Sequence, residues 1–308
     1  MLRFITALGQ DPPTLTAEAL GSPSFTNVFE FLSMEEQTVR VITWNCNKAT
    51  ASRATWDYFL DLKPDIALLQ EVASIPESVR GAYKVVSQHA IRKNGSKQTF
   101  ETAILTKLQI ETAFSLASRL QWVQRELEWF SGNLLCCVLK LDASSRLRVV
   151  SVYSPAWPVA KSRLAGEDVA PVKLSLNEDV WVADLLWAAL QEALPGREDP
   201  WIVGGDFNLS ETFDEWRGGP RGNREYLDKM KDIGLSECLR QKQGKLVPTF
   251  LNTDKKTHIH QMDHLFVTSD LIAAMEACSV GDKDAVFNGR MSDHLPIIAD
   301  FGRVELRR

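Results

Sequence analysis

The sequence is poor in cysteine, has no long apolar segment and carries no excess of basic residues. Its five cysteines include no Cys-x-x-Cys spacing and their number is odd, so we do not expect a disulfide framework. No run approaches the roughly 20 apolar residues that span a bilayer, and the apolar N-terminal stretch is too short for a secretory signal. These absences predict a soluble, cytoplasmic protein in a reducing compartment, without a membrane partner.

The composition is that of an ordinary globular protein, with 44% hydrophobic and 24% charged residues among 308. The formal net charge of −5 argues against a protein whose whole surface wraps nucleic acid. It is compatible with a local basic groove, because phosphate binding depends on where the lysines and arginines lie.

The chain changes character near residue 39. Residues 1–38 contain three prolines and no clear periodicity, and we interpret them as an N-terminal extension that is a candidate docking segment for a protein partner. Short apolar strands alternate with helices over residues 39–302, which we predict to be one domain, and residues 303–308 form a C-terminal tail. Because neighbouring strands are joined by short turns, the pattern favours an α/β sandwich with largely antiparallel sheets over a doubly wound parallel sheet. Asn177 is predicted to cap a helix that runs to about Leu194.

Several apolar strands end, or begin, in polar side chains. If these strand ends converge, they line one cleft. The set suits a hard cation such as Mg²⁺, with Mn²⁺ as a plausible substitute, and it suits phosphoester cleavage by activated water. Any one strand end of this kind is commonplace, so the inference depends on all of them together. The residues are Asn45, Asn47, Glu71, Asp206, Asn208, Asp263, Asp293 and His294.

Six segments around these residues resemble the endonuclease/exonuclease/phosphatase superfamily, in the same order and spacing. The superfamily includes DNase I, the exonuclease III type of apurinic endonuclease, the endonuclease domains of LINE retrotransposons, tyrosyl-DNA phosphodiesterase 2 and inositol polyphosphate 5-phosphatases. The segments are Thr43-Trp44-Asn45, Leu69-Gln70-Glu71-Val72, Val152-Tyr153-Ser154-Pro155, Gly205-Asp206-Phe207-Asn208, Met262-Asp263-His264 and Ser292-Asp293-His294.

The resemblance implies a DNase I-like four-layer α/β sandwich, in which two mostly antiparallel sheets pack together and are flanked by helices. It also implies roles for the strand-end residues. Metal binding is expected of Glu71, Asn45 and Asp293. Catalysis is expected of Asp206 as the group that activates water, of Asn208 and His294 as transition-state stabilisers, of Asp263 as the residue that orients His294, and of Tyr153 near the phosphate.

Other positions bear on the substrate. Asn47 stands where apurinic endonucleases usually carry Asp, and the Tyr153 and Asp206 segments are more similar to the retrotransposon type. Candidate substrate contacts, besides Asn47, are three arginines in a Gly/Pro-rich stretch and two tryptophans on loops beside motif segments: Arg217, Arg221, Arg224, Trp157 and Trp216. A solvated surface loop explains the arginines equally well. For the basic turn Arg92-Lys93 to Lys97, a solvated turn is the preferred interpretation.

The sequence therefore predicts a Mg²⁺-dependent nuclease that hydrolyses phosphodiester bonds of DNA or RNA, with nucleic acid as its partner. The alternative is a phosphatase acting on small phosphorylated molecules such as inositol phosphates. A binding module that has lost catalysis ranks last, because every principal acid, amide and imidazole is present.

Overall fold

In the computed structural model, the described residues are 38–142, 144–216, 219 and 221–302. The predicted extension, residues 1–38, lies outside them apart from Thr38, and so does the tail, residues 303–308; the domain division stays a prediction. Among the described residues, no helix is both long and apolar enough to cross a membrane.

Fourteen strands and eight α-helices are formed by the described residues. The strands are β1 (Val39–Ala49), β2 (Ile66–Val72), β3 (Lys84–Ile91), β4 (Lys97–Thr106), β5 (Gln109–Phe114), β6 (Leu134–Lys140), β7 (Arg146–Tyr153), β8 (Trp201–Asp206), β9 (Leu235–Glu237), β10 (Phe250–Asn252), β11 (Thr257–His260), β12 (Asp263–Thr268), β13 (Met275–Val280) and β14 (Ile297–Phe301). The helices are α1 (Thr55–Leu62), α2 (Glu77–Ala82), α3 (Gln121–Trp129), α4 (Val182–Ala193), α5 (Thr212–Glu215), α6 (Asn223–Asp232), α7 (Cys238–Gln243) and α8 (Ser269–Ala274).

Two six-stranded sheets carry the fold. The first has the order β13-β14-β1-β2-β4-β3 and the second β5-β6-β7-β8-β12-β9. In each sheet only the central pair, β1 with β2 or β7 with β8, is parallel, and the other pairs are antiparallel. A separate two-stranded hairpin is formed by β10 and β11. The predicted sandwich of two mostly antiparallel sheets is confirmed.

The apolar residues of the strands face two different layers of the core. In β1, Val41 points into the layer between the sheets, where it joins Leu68 of β2 and Val149 of β7. The next residue, Ile42, points outward to the layer under α1 and α2. The outer face of the second sheet is covered by α3, α4 and α6. Strands buried on both faces read as continuous apolar runs, which is why they are visible in the sequence.

The predicted helix start at Asn177 is wrong. Helix α4 begins at Val182, where the Asp184 carboxylate accepts the N–H of Trp181 at 2.8 Å and so caps the first turn. Asn177 instead uses its side-chain amide to donate to the carbonyl of Arg221, 3.2 Å away. A tertiary contact with a distant loop therefore replaces the predicted local cap.

Candidate active site

The strand registers bring the predicted strand ends together at one end of the sandwich. Asp206 lies opposite Tyr153 across the parallel β7–β8 pair and opposite Asp263 across the antiparallel β8–β12 pair. In the first sheet, Asn45 lies opposite Gln70, one residue before Glu71. Since the sheets pack face to face, the two central strand pairs deliver their polar ends to a common cleft.

Asp206 is buried in the cleft, with 2% of its surface exposed. Its Oδ2 accepts the side-chain amides of Asn45 at 2.9 Å and Asn208 at 3.1 Å, and its Oδ1 accepts the backbone N–H of Asn208 at 2.9 Å. The other amide hydrogen of Asn208 is donated to the carbonyl of Ser154, 2.8 Å away. Asn208 therefore fixes the Asp206 carboxylate, and both of its amide hydrogens are engaged.

His294 is held by a buried carboxylate. Its Nδ1 lies 2.8 Å from Asp263 Oδ2, and both residues are buried. The same oxygen accepts the hydroxyl of Thr249 at 2.7 Å. The other oxygen, Asp263 Oδ1, is buried and has no hydrogen-bond partner among the described residues. With Nδ1 directed at Asp263, the second ring nitrogen of His294 remains to meet a ligand.

The pKa values show how the charges depend on one another. Burial alone would lower the pKa of His294, yet the neighbouring charges of Asp263 and Asp206 raise it to about 10. Burial raises the pKa of Asp206 to about 7, although the charge of His294 opposes the rise. His294 is therefore an imidazolium at neutral pH, and Asp206 has the pKa of a general base suited to that pH.

The donor atoms of Asp206, Asp263 and His294 all lie within 4.8 Å of one another, a spacing that a metal ion could bridge. The Nδ1 atom of His294 is already engaged by Asp263 Oδ2, however, 2.8 Å away, and the Asp206 carboxylate is held by Asn45 and Asn208. We therefore interpret the three residues as a hydrogen-bonded charge pair beside a base.

Glu71 offers a better place for a cation. Its carboxylate forms no ion pair with any described residue, and burial raises its pKa, an effect that Lys48 partly offsets and Asp293 reinforces. The side-chain amide of Asn45 lies 3.5 Å from Glu71 Oε1, which is a long contact. The carboxylates of Glu71 and Asp293 are half-buried and repel each other, and the amide of Asn45 lies beside Glu71. Such a group of oxygen ligands is the kind that Mg²⁺ prefers. The residues present therefore fit the predicted metal.

Backbone strain is concentrated at the same strand ends. Asn47, Glu71 and Asn208 all adopt left-handed conformations, with φ of 45°, 51° and 47°. Non-glycine residues persist there only when the surrounding structure requires it. Gly205, directly before Asp206, has a different role. A Cβ on Gly205 would lie 1.9 Å from the carbonyl oxygen of Val152, so this glycine serves strand packing.

Tyr153 lies at the end of β7, where it pairs with Asp206 of β8. Its ring meets Phe100 edge-on, with centroids 5.3 Å apart. Burial raises the pKa of its hydroxyl, and the charges of Glu71 and Asp206 add to the effect. Tyr153 is therefore a neutral hydrogen-bond donor at any physiological pH.

The predicted substrate contacts lie in different surroundings. Trp216 is 39% exposed and stacks on Phe213, with centroids 5.6 Å apart. Trp157 packs against Phe130 and the core. Arg221 donates to the carbonyl of Phe213.

Two further arginines and an asparagine complete the set of predicted contacts. Arg224 pairs with Glu211 and Asp228. Asn47 is half-buried, and its backbone N–H donates to Asn45 Oδ1 at 2.9 Å. Arg217 lies outside the described residues.

Two residues beside His294 were missed by the sequence reasoning. Thr249, which is fully buried, accepts the N–H groups of Met262 and Asp263 at 3.1 Å each while donating to Asp263. Phe250 packs its ring on the imidazole of His294, with centroids 4.9 Å apart. The only local signal was their position at the start of the β10–β11 hairpin, and that does not reveal contacts with Asp263 or His294.

A model of the Endonuclease/Exonuclease/phosphatase family matches residues 42–294. The chain belongs to this family. Its members are nucleases and phosphatases, so the protein belongs to a family of hydrolases that cleave phosphoester bonds. The match covers every strand-end residue assembled in the cleft. Among curated protein sequences, none matches significantly.

Solved structures share the fold at low sequence identity. A 3′ phosphatase from Neisseria, bound to a product DNA hairpin, is 17% identical with a TM-score of 0.60, over 85% of this chain and 99% of that one. An AP endonuclease from Archaeoglobus fulgidus is 19% identical with a TM-score of 0.60, over 85% and 99%. The endonuclease domain of TRAS1, a telomere-specific non-LTR retrotransposon, is 18% identical with a TM-score of 0.54, over 87% and 100%. These likenesses confirm the DNase I-like sandwich.

Proposed function

We propose that the protein is a Mg²⁺-dependent nuclease that hydrolyses phosphodiester bonds in DNA or RNA. The observation that carries the proposal is the buried Asp206 carboxylate, fixed by two asparagine amides and placed beside the Asp263–His294 imidazolium. A base and a cationic donor at one point are what in-line attack of water on a phosphodiester requires.

Each side chain has a defined task in this mechanism. Asp206 takes a proton from the attacking water, whose oxygen forms the new bond to phosphorus while the ester bond on the far side breaks. His294, charged and held by Asp263, donates to a non-bridging oxygen as negative charge grows there. Tyr153 can donate to the phosphate or the departing oxygen. Asn208 and Asn45 act through Asp206, since their amides already hold it.

Glu71 and Asp293, with Asn45 beside them, would hold the Mg²⁺ ion. When bound, it supplies positive charge that polarises the phosphate and offsets the charge of the leaving oxygen. The relatives support nucleic acid as the substrate, because the similar 3′ phosphatase is bound to a DNA hairpin and another similar protein is an AP endonuclease.

An aromatic surface beside the cleft gives a substrate a place to bind. Trp216 stacks on Phe213 and contacts His260 at 5.4 Å between centroids, and the ammonium of Lys255 lies 4.1 Å from the Trp216 ring centroid. His260 is fixed in turn by Thr212, whose hydroxyl lies 2.7 Å from its Nδ1. An exposed indole with a neighbouring cation suits a nucleobase and its phosphate. We call the group Trp216, Phe213, His260 and Lys255 the aromatic shelf.

The test is a cleavage assay on single- and double-stranded DNA and RNA, with and without Mg²⁺. We expect Asp206→Asn to lower the rate by at least 100-fold, because it removes the base. The matched control is Asp199→Asn, which makes the same change just before β8, at its other end, where Asp199 pairs with Arg148. Cleavage that survives Asp206→Asn would refute the mechanism. Release of phosphate from inositol polyphosphates, without cleavage of nucleic acid, would establish the phosphatase alternative.

A further inference from the structure

The β3–β4 hairpin projects beyond the cleft on the Tyr153 side. β4 begins at Lys97, but its pairing with β2 begins only at Glu101, which lies opposite Val72 at the end of β2. Four residues of extended chain span about 13 Å. The hairpin tip, residues 91–97, therefore extends roughly that far past Glu71, and we call it the basic arm.

The arm carries three positive charges and no negative one. Arg92, Lys93 and Lys97 are exposed, and none of them takes part in an ion pair within the described part of the chain. Cations nearby at the same end of the sandwich are differently engaged. Lys161 pairs with Asp179, and Arg163 pairs with the fully buried Glu126. The arm therefore presents uncompensated charge in a protein that is acidic overall.

The arm is also held in place. Gly95 at its tip packs so closely on Trp129 that a Cβ there would lie 2.5 Å from the indole ring, and its φ of 84° adds a second requirement for glycine. Arg163 covers Trp129, with its guanidinium carbon 3.7 Å from the ring centroid. Within the turn, Asn94 Oδ1 accepts both the N–H and the hydroxyl of Ser96. Packing and turn geometry thus fix the direction of the hairpin.

The base of the arm is joined to the cleft itself. Asn133, which is fully buried, accepts the N–H of Ile91 at 3.1 Å and donates to the carbonyl of Tyr153 at 3.1 Å. Phe100, one residue before the part of β4 that pairs with β2, packs on the Tyr153 ring. The position of the arm is therefore set relative to the phosphate-binding wall of the cleft.

We propose that the basic arm binds the phosphate backbone of a nucleic-acid substrate on the Tyr153 side of the scissile bond. The proposal rests on the proposed nuclease function and adds a requirement on substrate length. Thirteen ångströms corresponds to about four steps of a duplex strand at ~3.4 Å each. A substrate must extend about that far beyond the cleaved bond to reach the arm, and a small phosphodiester cannot.

The first experiment measures binding without cleavage. The full chain, in EDTA, is titrated with a fluorescent 30-nucleotide duplex and its single strand at several salt concentrations. Each phosphate contact contributes about 0.9 to the slope of log K against log salt for a duplex, and about 0.7 for a single strand. The triple variant Arg92→Ala/Lys93→Ala/Lys97→Ala should therefore reduce the slope by about two to three and weaken binding by at least 10-fold.

The matched control removes three cations from the opposite end of the sandwich, Lys84→Ala/Lys140→Ala/Lys231→Ala. Lys84 lies opposite Thr106 at the far end of β3, and Lys140 ends β6 away from the cleft. Lys231 lies in the last turn of α6, just before β9 reaches Thr268 at the far end of β12. An equal loss of slope in both variants would show a general effect of net charge and would overturn the proposal.

The second experiment separates this proposal from the nuclease function. Hydrolysis of bis(p-nitrophenyl) phosphate by the arm variant should match the wild type, while kcat/KM on the 30-nucleotide substrate falls at least 10-fold. If the wild type cleaves nucleic acid and the arm variant does so equally well, the arm proposal is wrong and the nuclease function stands. If the wild type neither binds nor cleaves nucleic acid, both fail. Thermal unfolding of each variant shows whether its fold is retained.

Discussion

Replacing Thr249 by valine tests whether one buried hydroxyl holds the Asp263 carboxylate in position to bind His294. The hydroxyl already accepts two backbone N–H groups, those of Met262 and Asp263, so its own hydrogen must go to the Asp263 carboxylate. Valine has nearly the same shape and lacks all three interactions. The substitution therefore leaves two buried N–H groups without an acceptor and removes a donor from a buried carboxylate.

The expected cost follows from those three losses. An unsatisfied buried N–H costs about 1–3 kcal/mol, and a hydrogen bond to a charged group contributes about 1.5–3 kcal/mol. Taking the lower values, Thr249→Val should destabilise the protein by about 3–4 kcal/mol. Thr249→Ser keeps the hydroxyl and loses one methyl group, which costs about 1 kcal/mol.

Thermal unfolding and cleavage kinetics measure both effects. In a chain of this size, 1 kcal/mol changes Tm by about 2 °C, so the valine variant should melt about 6–8 °C below the wild type and the serine variant about 2 °C below it. Cleavage below the melting temperature should fall at least 10-fold with valine, because Asp263 no longer has its second partner, and should be restored by serine. Valine and serine variants of equal stability and equal activity would refute the reasoning.

Four other substitutions have definite expected results. Asp184 is almost fully buried, and burial raises its pKa to about 7 from an ordinary value of 3.8. The folded state therefore binds this proton more tightly than the unfolded state does. The free energy of unfolding should fall as pH rises from about 4 to 7. Asp184→Asn should remove that decline in a series of melting curves. Gly205→Ala should leave little folded protein by circular dichroism, because its Cβ would overlap the Val152 backbone, whereas Gly204→Ala meets only flexible leucine side-chain ends and should cost about 1–3 kcal/mol. Trp216→Ala should weaken single-strand binding by about 1–3 kcal/mol, measured by fluorescence anisotropy, and should leave hydrolysis of a small diester unchanged.

The predictable parts of the fold are those that a local pattern of apolar and polar residues reveals. Strands such as β2 and β8 are buried on both faces, so their apolar runs stand out, and their ends mark where polar residues gather. That was enough to place Glu71 and Asp206 in one cleft. The order of the strands within each sheet was not predicted, because it depends on pairing between segments far apart in the chain.

What could not be predicted depends on contacts between residues far apart in the chain. Nothing in the neighbouring sequence marks Thr249, because its role comes from its contacts with Asp263 at the start of β12. From the sequence, Arg224 could equally well bind a phosphate or face solvent. In the fold, it forms ion pairs with Glu211 and Asp228. The three cations of the basic arm were interpreted as a solvated turn, since the sequence does not show that β4 extends past β2 toward the cleft.

The catalytic residues lie on the strands of the sheets, whereas the candidate substrate contacts lie on peripheral segments. This difference explains why the chemistry was easier to infer than the substrate. Asp206 and Glu71 lie at the ends of the central strands β8 and β2, and Asp263 begins the neighbouring strand β12, so the sandwich fixes the positions of all three. The surfaces that would meet the rest of a substrate lie elsewhere, on the basic arm at one side and on the aromatic shelf at the other. They differ in kind: the arm offers charge to phosphates, and the shelf offers an exposed indole to a base. A nucleic-acid strand bound across the cleft would therefore have its phosphates contacted on the Tyr153 side and a base stacked on the His260 side. Salt should weaken the first set strongly and the second set weakly, which makes the two sides separable by experiment.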